Sequence, residues 1–312
     1  MILCVGPTPA LQRVMVFQRL TLDAVNRAAE TQEGIAGKSV NVAKVLKTLG
    51  QKPLAMGFAG GDHGKELRAG LEARGIETEF LEVRARTRQC ITVIDESSET
   101  QTELVEESSA VEAADYDALL EAIRRRIKGC QAVVMSGTLT PGGPVDFYFH
   151  CTKIAREEGV VSVVDAQGPA FLAALQAGPD VVKPNRAELA ATVGRELKDE
   201  SDVIEAMRGL LEGGAKRIVV TAGKAPALAG DGKSFWRITP PLIKALNPIG
   251  SGDAFTAGLV SRLLRGDGLD EACRWGSACG AANALTLMAG EVSLAEVQKL
   301  GGKVGVEKLH GM

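Results

Sequence analysis

Residues 247–260 read Asn247-Pro-Ile-Gly-Ser-Gly-Asp-Ala-Phe-Thr-Ala-Gly-Leu-Val260. Gly250, Ser251 and Gly252 form a small-residue turn, and Asp253 follows where an apolar helical pattern begins. Small residues at such a junction let backbone N–H groups point at an anion, and the helix dipole adds to the attraction. An acid beside that hole can accept the proton of an attacking hydroxyl. The same pattern also fits an ordinary helix N-cap. This segment alone leaves both readings open.

Working outward, short aliphatic runs alternate with amphipathic stretches. Strands are predicted at Ile2–Val5, Leu54–Ala59, Ala132–Met135, Val160–Val164, Val181–Val182 and Arg217–Val220. Helices are predicted at Val40–Leu49, Gly64–Arg74, Val145–Glu158 and Ser201–Leu211. Repeated β-then-α units imply a mostly parallel sheet covered on both faces. The end of the chain reads as nearly all helix: Ala254–Leu264, Leu269–Leu287 and a short one from Ser293. Two segments break the rhythm. Val14–Phe17, and Gln89–Ile94 with Thr100–Val105 across the polar turn Asp95–Glu99, alternate like exposed antiparallel strands. They are expected outside the main sheet, as a small lid. A one-sided sheet must cover its apolar face with ligand or with a second subunit.

The chain has 312 residues, enough for a sizeable core without disulfides or a structural metal. Lys+Arg (36) nearly balances Asp+Glu (39), so no basic field marks a nucleic-acid binder. Aromatic residues are 4%, which predicts an aliphatic core. The six cysteines (Cys4, Cys90, Cys130, Cys151, Cys273, Cys279) include no C-x-x-C pair and mostly sit in apolar segments. They read as reduced core thiols of a cytoplasmic protein. His63, His150 and His310 are too scattered for a zinc site. The opening MILCVGPTPALQRVMVF lacks a basic n-region and is broken by two prolines, so no secretory signal is expected. The uncharged run Trp275–Gly290 falls short of the ~20 residues that span a bilayer and reads as a buried helix. Gly37-Lys38-Ser39, with the acid-ended strand Val160–Asp165, imitates a P-loop NTPase. The required upstream glycine is Gln32, however, and no buried strand precedes it.

Taken together, the motifs resemble the PfkB (ribokinase-like) carbohydrate kinases, and the resemblance runs through essentially the whole chain. Residues 247–253 are similar to that family's D-T-x-G-A-G-D signature, in the N-P-I-G-S-G-D form of the 1-phosphofructokinase and tagatose-6-phosphate kinase branch. Gly37-Lys38-Ser39-Val40-Asn41-Val42-Ala43 resembles G-K-G-x-N-V-A. Ser136-Gly137-Thr138-Leu139-Thr140-Pro141-Gly142 resembles S-G-S-L-P-P-G. Lys183-Pro184-Asn185-Arg186-Ala187-Glu188 resembles K-P-N-x-x-E, and Thr221-Ala222-Gly223 stands at the S/T-x-G of the nucleotide loop.

The resemblance implies an α/β fold: one ribokinase-like α/β/α sandwich spanning residues 1–312, with a mostly parallel central sheet and a lid from roughly 10–35 and 84–106. It implies transfer of a phosphoryl group from ATP, with Mg²⁺, to a hydroxyl of a sugar or sugar phosphate. Asp253 would be the general base, and the amides of Gly250, Ser251 and Gly252 the anion hole. Lys183, Asn185, Glu188, Thr221 and Gly223 would serve the nucleotide, with Glu188 reaching Mg²⁺ through water. Asn283 would face the adenine pocket. Gly37, Asn41 and Ser136 would meet the sugar, and Lys38 and Arg88 a substrate phosphate, with Arg84 and Arg86 as alternatives to Arg88. Arg suits bidentate phosphate binding, whereas Lys acts as a point charge. A homodimer through the lid, and no nucleic-acid or membrane partner, complete the expectation.

The chain also departs from the family's T-x-N-P-A-x-D. Here Thr8 replaces Asn, and Gln12 replaces the Asp that binds sugar hydroxyls. Ser39 replaces the second glycine of the helix-start motif. Gln both donates and accepts and carries no charge, so altered sugar selectivity is expected with catalysis kept. Two rival readings stand beside this one: a kinase of the same fold acting on an unphosphorylated sugar, nucleoside or vitamin, and a sugar-binding regulator that has lost catalysis.

Overall fold

The computed structural model describes residues 1–309; His310 lies outside the described residues. The chain begins with β1 (Ile2–Val5), β2 (Ala10–Phe17), β3 (Glu30–Ala36), α1 (Lys38–Thr48), β4 (Pro53–Ala59), α2 (Gly61–Ala73), β5 (Glu77–Glu82), β6 (Arg88–Asp95) and β7 (Thr100–Val105). It continues through α3 (Ala113–Arg126), β8 (Ala132–Ser136), α4 (Phe147–Glu157), β9 (Val161–Asp165), α5 (Gly168–Leu175), β10 (Val181–Val182), α6 (Arg186–Val193) and α7 (Glu200–Glu212). The last third holds β11 (Ile218–Ala222), β12 (Ala225–Gly230), β13 (Phe235–Thr239), α8 (Ser251–Leu263), α9 (Leu269–Ala284), α10 (Leu294–Gly301) and β14 (Gly305–Leu309).

The main sheet has the order β14-β13-β12-β11-β10-β9-β8-β1-β4-β5. From β11 to β5 every pairing is parallel, and β12 to β14 add an antiparallel edge. The central parallel strands β1, β4 and β8 are buried along their whole length, because both faces are covered, whereas the edge strand β5 (Glu-Thr-Glu-Phe-Leu-Glu) is half exposed. In β1, Ile2 and Cys4 face the core under α1, α8, α9 and α10, whereas Leu3 and Val5 face the core under α3, α4, α5 and α7. That core is mainly aliphatic, but four of the few aromatics stack in one chain, Phe58–Tyr116–Phe147–Tyr148, with ring centroids 5.0, 5.1 and 5.4 Å apart.

The second sheet has the order β3-β2-β6-β7 and lies apart from the first, as the broken rhythm predicts. Its central pair, β2 with β6, is parallel, not antiparallel, and the two outer pairings are antiparallel. β2 is mostly buried, so only β7 has the exposed character expected of all three strands. The helical reading of the chain end is corrected as well. α9 stops at Ala284, and the segment 305–309 is a strand. β14 pairs with β13 from Phe235–Leu309 to Thr239–Gly305. An edge strand with one covered face carries alternating polar residues (Gly-Val-Glu-Lys-Leu), which a search for long apolar runs overlooks. No described helix is long and apolar enough to cross a membrane.

Candidate active site

The parallel strands and the second sheet enclose a cavity of 980 Å³ at the carboxyl ends of β9 to β11. Clefts beyond the carboxyl ends of strands are where open α/β sheets place ligands. This one has room for two small molecules at once.

The centre of the cavity is the start of α8. Gly250 is its N-cap with φ 83°, a left-handed conformation. A Cβ there would stand 2.7 Å from Ala289 Cβ, so both backbone and space require glycine. The Ser251 N–H donates to Pro248 O at 3.1 Å, which closes the turn and removes that amide from an anion hole. In the first helical turn the N–H groups of Gly252 and Asp253 have no intrahelical partner. Of the expected trio, the Ser251 N–H is spent on the turn, while the Gly252 N–H, and with it that of Asp253, is left without a partner in the helix.

Asp253 is 6% exposed, and its Oδ2 accepts from Asn41 Nδ2 at 2.7 Å. Burial pushes its carboxyl up and the Asp165 carboxylate adds to that. Lys38, Asn41 and Lys183 pull the other way, leaving a pKa of about 7. Asp165, at the end of β9, shares the cavity. It accepts from Thr256 Oγ1 at 2.9 Å and lies 3.1 Å from Lys183 Nζ and 3.5 Å from Lys38 Nζ. Burial raises its carboxyl too, but the two ammonium groups and the hydrogen bonds outweigh that and hold it below the ordinary value. Two carboxyls in one cavity are thus driven apart, one firmly ionised and one poised near neutrality, which is how a site separates a charge partner from a base.

Asp165 was visible in the sequence only as part of the false P-loop pattern. Its signal was a strand-end acid followed, across the fold, by Lys183.

Lys38 opens α1 behind Gly37, whose φ of 105° again requires glycine. Its Nζ lies 3.5 Å from Asp165 and 3.7 Å from Glu188. Asp165 holds the ammonium above its ordinary pKa against the pull of burial, with Asp253 and Glu188 assisting. The side chain expected to meet a substrate phosphate is thus paired with Asp165 and Glu188. Asn185 and Glu188 form a reciprocal capping box at the start of α6. Glu188 N–H donates to Asn185 Oδ1, and Asn185 N–H donates to Glu188 Oε2, both at 2.8 Å. A bridge between Asn185 and Thr221 joins this cap to the turn that carries Gly223. Beyond it, Ala225, Ile238, Pro240–Ile243, Ala245, Ala281 and Ala284 make an apolar wall. The Pro-Pro-Leu stretch reads as a plain connection in sequence and was missed.

At the second sheet, Arg88 lines the cavity. Its guanidinium donates to Thr8 O and Glu106 O, both at 3.3 Å, and its Nε has no partner. Arg84 and Arg86 are exposed and do not line it. Gln12 lines it too, 2% exposed. Its Nε2 donates to Thr92 Oγ1 at 3.1 Å, and its Oε1 accepts from Ala289 N–H at 3.3 Å. Half of its hydrogen-bonding capacity thus serves the protein itself.

Every expected site residue lines the cavity except two. Ser136 is 1% exposed beneath the floor, with an unpartnered Oγ. Asn283 is fully buried and does not face the apolar wall. Its Nδ2 donates to Ile249 O at 2.9 Å and lies 3.2 Å from Ser251 Oγ, and its Oδ1 accepts from Gly290 N–H at 2.7 Å. It braces the turn at Gly250 from behind, because a fully buried amide must spend its groups on protein partners.

Residues 1–294 match the family described as pfkB family carbohydrate kinase. Phosphofructokinase-2 from Escherichia coli, solved in complex with fructose-6-phosphate, is 29% identical, with a TM-score of 0.87 over 96% of this chain and 98% of that one. A possible 1-phosphofructokinase from Thermotoga maritima is 27% identical, with a TM-score of 0.92 over 99% of both chains.

Proposed function

The chain belongs to the pfkB family of carbohydrate kinases, and from that premise we propose that it transfers the γ-phosphoryl group of ATP to a hydroxyl of a phosphohexose, with Asp253 as general base. The observation that carries this reading is the Asp253 carboxyl: buried at a helix N-terminus, held by Asn41 and poised near pH 7 inside the cavity. Fructose-1-phosphate, fructose-6-phosphate and tagatose-6-phosphate are the acceptor types that fit.

In this mechanism Asp253 takes the proton of the acceptor hydroxyl as its oxygen attacks the γ-phosphorus. The bond to the β-phosphate oxygen breaks, and ADP leaves. Asn41 keeps the Asp253 carboxylate aimed. The free amides of the α8 first turn and the Lys38 ammonium meet the charge on the transferring oxygens. Thr221 and Gly223 hold the nucleotide, and the apolar wall takes its base. Closure of the β3-β2-β6-β7 sheet keeps water away and limits futile hydrolysis.

Among the described residues, no cluster of three or more acidic, His or Cys side chains forms a metal cage. Glu188 is a single carboxylate with one oxygen spent on its cap. That donor set fits Mg²⁺ carried by the nucleotide, because Mg²⁺ keeps several waters and one or two carboxylates beside the phosphates. Glu188 would hold it through water, and the ion would supply neutralisation of phosphate charge.

Arg88 supports a phosphorylated acceptor: a partly buried guanidinium with a free Nε at the sugar end is suited to a phosphate. The E. coli relative bound to fructose-6-phosphate accords with the same class. The reading includes one kinase domain with the small sheet as its lid, and a homodimer through that sheet. Leu22 and Val25, between β2 and β3, are 87% and 83% exposed, and Leu104 and Val105 of β7 are exposed as well. A monomeric mass in solution would contradict the dimer. The reaction itself is tested by acceptor-dependent ATP consumption in the parent and in Asp253→Ala. Loss of turnover by ~10²-fold or more is expected, and an unchanged rate would refute the base.

A further inference from the structure

Lys44 lies in α1, 3% exposed, and takes no part in the proposed reaction. Its Nζ donates to Ala289 O at 2.6 Å and Ile35 O at 3.2 Å, and lies 3.1 Å from Glu291 Oε1. Two of the ammonium's three protons go to carbonyl oxygens, and the Glu291 carboxylate, which Arg74 also reaches at 2.8 Å, lies beside it as an ion pair. Burial disfavours the charge and the Glu291 carboxylate offsets this. A buried cation held in this way is costly to assemble and costly to disrupt, so what it joins matters.

It joins two parts of the cavity. Ile35 belongs to β3, the outer strand of the lid sheet beside β2. Ala289 is the wall behind the anion turn, its Cβ filling the space a side chain on Gly250 would need. The Ala289 N–H donates to Gln12 Oε1 on β2, and Gly290 N–H to Asn283, which in turn holds Ile249 O. The segment 289–290 is therefore gripped by the lid on one side and supports Gly250 on the other.

We propose that Lys44 is a positioning residue that pins Ala289 to lid strand β3, so that lid placement and the geometry of the Gly250–Asp253 anion turn move as one unit. The kinetic part of this inference rests on the kinase reading; the structural part does not.

Amide hydrogen exchange and steady-state kinetics of Lys44→Met and Lys44→Arg test it. In K44M, exchange at Gly250–Gly252 and Ala289–Gly290 is expected to rise at least ~10-fold, with α3 to α5 unchanged. Turnover on the accepted phosphohexose should fall ~10- to 100-fold, with KM for ATP within ~3-fold, because misplacing the reacting groups costs rate more than ground-state binding. K44R, which keeps the cation, should recover most of both effects. A folded K44M with parent-like exchange in the anion turn, or with turnover within ~2-fold of the parent, overturns the proposal. If the parent phosphorylates no acceptor, the kinase reading fails while the exchange result still decides the role of Lys44. If K44M does not fold, Glu291→Ala removes the carboxylate from the outside. A smaller rise in exchange at the same amides is then expected, and no rise overturns the proposal.

Discussion

Replacing Asp253 with Asn should stabilise the protein while abolishing turnover, and the gain should depend on pH. The carboxyl titrates near 7 in the folded protein and near 3.8 when unfolded. The folded state therefore binds more protons between those values, and stability falls as pH rises through the window from 3.8 to about 7. At about 1.36 kcal/mol per pH unit, the parent loses about 4 kcal/mol above pH 7 by holding the ionised form, and about 2 kcal/mol at pH 5.5 by holding the protonated form that the unfolded chain would release. Asn keeps the shape and can still accept from Asn41, but carries no charge. D253N should thus exceed the parent by about 2 kcal/mol at pH 5.5 and about 4 kcal/mol at pH 8. For a chain of this size, that is a melting-point advantage of about 3 °C growing to about 6 °C. Differential scanning calorimetry of both proteins across this range measures it. An advantage that is absent, or that does not grow with pH, would refute the raised carboxyl and with it the argument for Asp253 as a poised base.

Other outcomes follow from the same geometry. In the parent, kcat/KM should rise about tenfold per pH unit up to about 7 and then level, because the free enzyme must present an ionised Asp253; a flat profile from pH 5.5 to 8 would contradict this. Gly250→Ala should lower turnover by ~10²-fold and cost ~1–2 kcal/mol in chemical denaturation, from the left-handed backbone and the contact with Ala289. Arg88→Ala should raise KM for a phosphorylated acceptor by at least ~10-fold and leave that for an unphosphorylated one unchanged, since a charge-assisted contact worth ~1.5–3 kcal/mol is lost only with the former. Gln12→Asp should change the ranking of acceptors in a competition assay. An unchanged ranking would show that Gln12 does not set selectivity.

Much of the fold was legible because parallel strands buried on both faces, such as Ala132–Met135, leave unbroken apolar runs. The second sheet was legible from β6 and β7, where alternation and a polar turn coincide. β14 was not, since a five-residue edge strand of mixed polarity resembles a tail. In the site, positions that need a positive φ were legible as glycines in motifs, as at Gly37 and Gly250. Partnerships across the fold were not. Asp165 looked like half of a false motif because Lys183 and Lys38 meet it only in three dimensions. Asn283 looked like a pocket residue because sequence gives no sign that Gly290 and Ile249 use up its amide. Lys38 was legible as a helix-start cation, but its pairing with Asp165 and Glu188 was not.

The most direct test is product analysis by phosphorus NMR. Purified protein would be incubated with MgATP and, separately, fructose-1-phosphate, fructose-6-phosphate, tagatose-6-phosphate, the free sugars and nucleosides. A hexose bisphosphate should form from at least one phosphohexose, with ADP in equal amount and no product when Asp253 is Asn. Turnover confined to nucleosides or free sugars, or tight sugar binding without any product, would contradict it.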